Sequence, residues 1–260
     1  MTRRALLTAH DRLARRFGAI RFRPGGSPLN QLIETILSQN TSDTNSVRAF
    51  RNLRKRFRSW ADVVKAPTPS VADAIRSGGL ADIKAPRIQQ VLRIIREREG
   101  RYSLARLRRM SSAGVTDYLT ALPGVGAKTA ACVLLFSMGR PVMPVDTHVH
   151  RVTLRLGWIP PRTRPEDAGP LLERHLPPGK VLSMHLYLVW HGRATCKARR
   201  PRCHECALHA SCAFFRGHGR GPPTGARPIP GVARRLSWGE VEARRHAGGG
   251  RQDGPLSPAV

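Results

Sequence analysis

The chain has 260 residues, of which 45 are Lys or Arg and 17 are Asp or Glu, so its formal net charge is +28. A potential this positive indicates a polyanionic partner, and nucleic acid is favoured over an anionic membrane. No apolar run approaches the roughly 20 residues that span a bilayer, and the basic N-terminus is interrupted too often to be a secretory signal. We therefore expect a monomer that is cytoplasmic and nucleoid-associated and binds no membrane.

The apolar spacing is helical along most of the chain. Leu29, Leu32, Ile33, Ile36 and Leu37 repeat at the intervals of one face of a helix, and no stretch alternates as a half-buried strand would. The pattern predicts an all-α fold. Among the predicted short helices are Ser103–Met110, Val115–Ala121, Ala127–Met138, Thr147–Leu156, Glu166–His175 and Val181–Gly192. The Gly-, Pro- and Arg-rich residues 216–260 cannot bury enough surface to offset their ordering entropy and are predicted to be disordered.

The stretch LPGVGAKTA, residues 122–130, is similar to a phosphate-binding loop but lacks its spacing, because Ala127 separates Gly126 from Lys128. It predicts a tight turn between two helices. Unsatisfied N–H groups at the start of the second helix can bind a DNA phosphate without reading sequence. The alternative is a corner that only packs two apolar helices. On the first interpretation, the hairpin residues that contact DNA are Gly124, Val125, Gly126 and Thr129.

Lys128 is one of only six lysines beside 39 arginines. Arginine cannot act as a nucleophile, whereas lysine can when its pKa is lowered. The positive end of the helix dipole and nearby cations should lower the pKa of Lys128, which suits it to Schiff-base formation. The alternative is a lysine that pairs with the phosphate held by the hairpin.

The hairpin and the later segment VDTHVHRV, residues 145–152, together resemble the endonuclease III family of helix-hairpin-helix DNA glycosylases. The resemblance implies that Lys128 attacks C1′ of a damaged nucleotide and that Asp146 assists it. It also places His148 at the DNA. From the residues alone, Asp146 is the N-cap of the helix that follows, and the two roles are compatible.

The resemblance covers about residues 20 to 212 and implies two lobes with a DNA groove between them. A helical barrel lobe spans residues 29–139 and contains the hairpin, and a second lobe combines residues 1–28 and 140–215. The lysine implies a bifunctional enzyme of base excision repair, because the similar adenine-mismatch glycosylases have serine there. Its expected partner is double-stranded DNA with oxidised pyrimidines or abasic sites. The alternatives are a non-catalytic DNA-binding module and a monofunctional mismatch glycosylase.

Four cysteines follow the spacing C-x6-C-x2-C-x5-C, which places four thiolates close together. Such a set binds either tetrahedral zinc or a [4Fe-4S] cluster, and the donor chemistry alone does not separate the two. The spacing resembles the cluster loop of endonuclease III and so implies [4Fe-4S]. Arg199 and Arg200, between the first two ligands, are predicted to face the DNA backbone. The ligands are Cys196, Cys203, Cys206 and Cys212.

Chemistry at C1′ requires the damaged base to leave the stack. In the family, a glutamine of an L-S-x-Q-x-x-D segment fills the vacated space; here the segment LSQNTSD makes Gln39 the first candidate and Asn40 the second. The segment GLADIKA resembles a turn whose leucine wedges between bases, which makes Leu80 the candidate wedge. Lys84 of the same segment is predicted to bind DNA. The alternative for Leu80 is packing within the turn.

Overall fold

A computed structural model describes residues 1–20 and 22–218. Within these residues every regular element is helical, which confirms the predicted all-α class. None of the described helices is long and apolar enough to cross a membrane. The α-helices are α1 Arg3–Phe17, α2 Pro28–Leu37, α3 Asp43–Arg56, α4 Trp60–Lys65, α5 Thr68–Ile75, α6 Ala81–Glu99, α7 Ser112–Thr120, α8 Ala127–Cys132, α9 Thr147–Leu156, α10 Pro165–Glu173, α11 Val181–Ala194 and α12 Ala213–His218.

The largest differences from the predicted helices fall in three places, while α7, α10 and α11 differ by one to three residues at their ends. The segment predicted as Ser103–Met110 forms only a 3-10 turn, Ala105–Arg109. The predicted helix Ala127–Met138 changes its hydrogen-bonding pattern after Cys132 and continues as a π-helical turn, Val133–Ser137. The predicted disordered tail overlaps the last turn of α12, and residues 219–260 lie outside the described part of the chain.

Buried apolar side chains form two clusters. The first lies among α2 to α8, and the second joins α1 to α9, α10, α11 and the segment before α12. The helix that begins at Ala127 contributes to both, because Val133 and Leu134 lie in the first cluster and Leu135 and Phe136 lie in the second. The π-helical turn therefore sits at the junction of the two cores.

A partly buried ion pair also connects the two halves. Arg193, near the end of α11, donates from Nη2 to Oδ1 of Asp43 at 3.0 Å and from Nη1 to Oδ2. Asp43 is the first residue of α3, so the pair joins an element of the first core to an element of the second. Removal of either partner would leave a partly buried charge without its counterion, which is costly.

Candidate active site

A cavity of about 630 Å³ lies where elements of the two cores meet. Lys128 and Asp146 both line this cavity, together with the Asp43–Arg193 ion pair. The remaining residues that line it are Ser38, Gln39, Asn40, Thr41, Cys132, Phe136, Val145, Thr147, His148, His150, Pro165, His185, Leu186, Val189 and Trp190.

The hairpin has the predicted form of a turn followed by a helix. Gly126 is the N-cap of α8 in an extended conformation, and Lys128 is the second residue of the helix and partly buried. Gly124 has a φ of 71°, and a Cβ atom there would lie 2.4 Å from Cδ of Arg87. The left-handed φ favours glycine at this position, and a side chain would also require the flexible end of Arg87 to move. The turn geometry that presents Lys128 to the cavity thus depends on Gly124.

The pKa of Lys128 is raised, contrary to the sequence prediction. Burial lowers this pKa, but the neighbouring Cys132 sulfur and the carboxylates of Asp146 and Asp43 raise it by more. The prediction considered the helix dipole and the basic composition. It could not include carboxylates that approach Lys128 only through the tertiary fold, and these favour the ammonium form.

Asp146 caps α9, as the sequence predicted. Its Oδ1 atom accepts hydrogen bonds from the backbone N–H groups of His148 at 2.9 Å and Val149 at 2.7 Å. Because both bonds use the same oxygen, the carboxylate is fixed in one orientation at the cavity wall. Asp146 therefore caps α9 and lies near Lys128 at the same time.

His185, a buried histidine of α11, also lines the cavity, and no sequence motif indicated it. Its Nδ1–H donates to the carbonyl of Pro144 at 2.9 Å, which holds the chain two residues before Asp146. Burial lowers the pKa of His185 to about 4, so the ring is neutral at physiological pH. The only sequence signal was a polar residue inside the otherwise apolar run of α11.

His148 lies at the cavity and is tied to the cysteine loop through Arg151. Arg151 Nη2 contacts His148 Nδ1 at 3.1 Å and donates to the carbonyl of Gly192 at 2.9 Å, and its Nε donates to the carbonyl of Cys196 at 3.1 Å. Burial lowers the pKa of His148. The predicted DNA contact of His148 stays a prediction, and Arg151 is a positioning residue that the sequence did not indicate.

The two neighbouring amides, Gln39 and Asn40, differ in their contacts and exposure. The Gln39 side chain donates from Nε2 to the carbonyl of Gly124 at 3.1 Å, which ties it to the hairpin. Asn40 is exposed and has a left-handed φ of 54°, and Leu80, with a φ of 51°, is 48% exposed. Asn40 and Leu80 are more exposed than Gln39, and entry of any of the three into a duplex stays a prediction.

Lys84 does not reach the surface, so its predicted contact with DNA is wrong. Only 2% of the residue is exposed, and Nζ donates to the carbonyls of Leu37 and Gly78. The side chains of Val125 and Thr129 are likewise buried, which leaves only their backbone groups for a phosphate. The motif gave the residue types but not the direction of these side chains.

The four cysteines of the loop line one small cavity. In the described residues no three His, Cys, Asp or Glu side chains stand in metal-ligating geometry. The donor set nevertheless fits a thiolate-bound metal centre, because Leu208 N–H and Arg155 Nη1 donate to the sulfurs of Cys206 and Cys196 at 3.3 and 3.4 Å. Burial raises the pKa of the Cys206 thiol to about 12, so metal binding must displace a proton there.

Arg155, which no sequence motif indicated, fixes the basic part of this loop. It donates to the carbonyls of Lys197 at 2.7 Å and Ala198 at 3.0 Å, and its guanidinium lies 4.8 Å from the ring centre of Phe214. Arg199 and Arg200, the next residues, are exposed. The loop thus presents Arg199 and Arg200, with the likewise exposed Lys197 and Arg202, to solvent from an anchored backbone.

Comparisons with known proteins agree with this geometry. Endonuclease III of Thermotoga maritima is 37% identical over 194 residues, which cover 75% of this chain and 86% of that protein. Endonuclease III of Escherichia coli is 32% identical over 188 residues, or 72% of this chain and 84% of that protein. A solved structure of a trapped covalent intermediate of endonuclease III with DNA matches with a TM-score of 0.73 at 28% identity, covering 85% of this chain and 100% of the other.

A family model described as the HhH-GPD superfamily base excision DNA repair protein matches residues 33–178, which include the hairpin, Lys128 and Asp146. The match covers more than half of the chain, and the relatives above are matched over most of their own length. The chain therefore belongs to the HhH-GPD superfamily of base excision DNA repair proteins, as an endonuclease III-like DNA glycosylase.

Proposed function

We propose that the protein is a bifunctional DNA glycosylase and abasic-site lyase that removes oxidised pyrimidines from double-stranded DNA. The observation that carries this proposal is the presence of Lys128 and Asp146 on one cavity between the two cores. Its volume of about 630 Å³ falls within the range of small-molecule sites, so an extruded nucleotide has room beside the lysine.

The neutral amine of Lys128 forms a bond to C1′ as the bond from C1′ to the base breaks, and the base leaves with the electron pair and takes up a proton. The charge of Asp146 stabilises the positive sugar at this step. Ring opening gives an iminium, loss of a C2′ proton expels the 3′ phosphate, and water then releases the lysine. Because the pKa of Lys128 is raised, its ammonium must first lose a proton.

The proposed contacts with DNA lie on three surfaces of the protein. Asn40, which lines the cavity, and Leu80, which is exposed at the start of α6, fill the space that the extruded base leaves. The backbone around Gly126, at the N-terminus of α8, holds a phosphate. Arg199 and Arg200 add a contact to the DNA backbone that does not depend on sequence.

A panel of duplexes with one defined lesion each tests the reaction and the substrate class. We expect the wild-type protein to release oxidised pyrimidines, to leave a 3′ unsaturated aldehyde end, and to be trapped on the same duplexes by borohydride. An undamaged duplex and a duplex with an oxidised purine are the controls. Base release without strand cleavage would instead identify a monofunctional glycosylase, and binding without either product would identify a DNA-binding module.

We further propose that Cys196, Cys203, Cys206 and Cys212 hold a [4Fe-4S] cluster. The support is their shared cavity and the N–H donors on two of the sulfurs, together with the similarity to endonuclease III. When bound, the cluster supplies a rigid crosslink of the loop. Arg151 and Arg155 hold the backbone at the first ligand, through the carbonyls of Cys196 and Lys197.

Protein purified without oxygen should contain about four iron atoms per chain and absorb visible light, because four thiolates ligate the cluster. Cys206→Ser should lose most of the iron and lower the melting temperature, while Cys132→Ser, outside the loop, should keep the iron content of the wild type. Elemental analysis and absorbance measure both. Stoichiometric zinc in place of iron would refute the cluster and leave a structural zinc site.

A further inference from the structure

Lys84 is a buried amine whose bonds connect two different elements. Its Nζ atom donates to the carbonyl of Leu37 at 2.7 Å and to the carbonyl of Gly78 at 2.9 Å. Leu37 is the last residue of α2, and Gly78 is the last residue of a short 3-10 helix, Arg76–Gly78. A single side chain from the first turn of α6 therefore fixes the ends of both elements.

The arrangement is energetically unusual. Burial lowers the pKa of Lys84 to about 8, and its two hydrogen bonds in the described chain go to neutral carbonyls. A buried charge that has only dipoles for partners is costly, and an apolar residue of similar size is often better tolerated. An apolar side chain would satisfy the packing at this position, whereas joining the two carbonyls requires a side chain with N–H donors.

Each carbonyl precedes one of the two residues proposed to enter the duplex. Asn40 follows Leu37 by three positions, and Leu80 follows Gly78 by two. Both have left-handed φ angles, 54° and 51°, which non-glycine residues rarely adopt without support from their surroundings. The two loops also adjoin, since a Cβ atom on Gly78 would lie 3.8 Å from the carbonyl oxygen of Leu37.

We propose that Lys84 is a positioning residue. It clamps the Asn40 loop, residues 38–42, and the Leu80 loop, residues 79–80, into one unit, so that the side chains of Asn40 and Leu80 enter the duplex together. The inference rests on the proposed function, which places these two side chains in DNA. It replaces the predicted DNA contact of Lys84 with an indirect role.

The test uses a duplex that carries a stable abasic analogue opposite 2-aminopurine, whose fluorescence increases when it is unstacked. Wild-type protein at saturation should raise the fluorescence, and Leu80→Ala and Asn40→Ala should each reduce that gain. Lys84→Met fills the same space without donors and should reduce the gain at least about threefold, because the two carbonyls lose the donor that joins them. Lys65→Met, an exposed lysine at the end of α4, is the matched control and should keep the full gain.

The double variants distinguish a clamp from a general loss of stability. In the Lys84→Met background, Leu80→Ala and Asn40→Ala should cause little further loss of the fluorescence gain. Side chains that no longer enter the duplex contribute little to the gain, so removing them changes it little. The melting temperature and the affinity for undamaged duplex should stay near those of the wild type. If Lys84→Met does not fold, Lys84→Gln, which keeps an amide donor, serves in the same cycle.

Two results would overturn parts of this account separately. A full fluorescence gain in folded Lys84→Met or Lys84→Gln, or losses that add independently in the double variants, would overturn the clamp and leave the proposed function intact. No gain with wild-type protein, or an undiminished gain in both Leu80→Ala and Asn40→Ala, would overturn the proposed wedge and the clamp with it.

Discussion

Replacing Lys128 by alanine should reduce borohydride trapping on abasic DNA by at least about 10³-fold, because the amine that forms the imine is gone. The measurement is the fraction of covalent protein–DNA complex on a denaturing gel at fixed time and saturating protein. In the wild type, the trapping rate should rise with pH, up to about tenfold per unit below the pKa of Lys128. The sign follows from the raised pKa, since only the neutral amine attacks and its population grows as protons are removed.

The control for Lys128→Ala is Lys128→Arg, which keeps the positive charge but cannot be deprotonated to a nucleophile. If the lysine only pairs with a phosphate, Lys128→Arg should retain most of the wild-type activity. We expect Lys128→Arg instead to be as inactive as Lys128→Ala, and to bind abasic DNA at least as tightly as Lys128→Ala does. Persistent trapping by the alanine variant would mean that another amine is the nucleophile.

The change Asp146→Asn should lower turnover roughly 10²- to 10³-fold with little effect on folding, because it removes a charge beside C1′. Asparagine is as good an N-cap as aspartate, so the bonds to His148 and Val149 can be kept. Single-turnover rates on a lesion duplex and thermal melting measure the two effects separately.

Asp146→Ala is the matched variant, because it removes the cap as well as the charge. It should lose about 1 kcal/mol of stability relative to Asp146→Asn, with a similar loss of turnover. Wild-type turnover by the asparagine variant would leave Asp146 with its capping role alone. Equal stability of the two variants would show that the cap at α9 contributes little to folding.

The sequence was most informative where local chemistry and periodicity agree. The predicted helix Thr147–Leu156 has the observed bounds, since a capping aspartate precedes it, glycine follows it and its apolar positions recur along one face. Residues 130–136 are all apolar, so no period distinguishes an α-helix from the π-helical turn at Val133–Ser137. That change depends on two cores that only the folded chain contains.

The site was less predictable, because its remaining features depend on contacts between distant segments. Lys84 and Lys128 are both lysines in the first turn of a helix, yet one is enclosed by carbonyls and the other faces carboxylates. Their pKa values accordingly shift in opposite directions. His185 and Arg155 lacked a motif, and they act through the carbonyls of Pro144 and Lys197, which the sequence cannot place.

The π-helical turn after α8 has a geometric effect on the whole molecule. A π-helical turn contains about one residue more than an α-helical turn, and one residue corresponds to about 100° of rotation about the helix axis. The segment that carries Lys128 is thereby rotated relative to Leu135 and Phe136, which anchor the second core. A single extra peptide unit thus changes the angular phase between Lys128 and the residues after Ser137, which lead to Asp146.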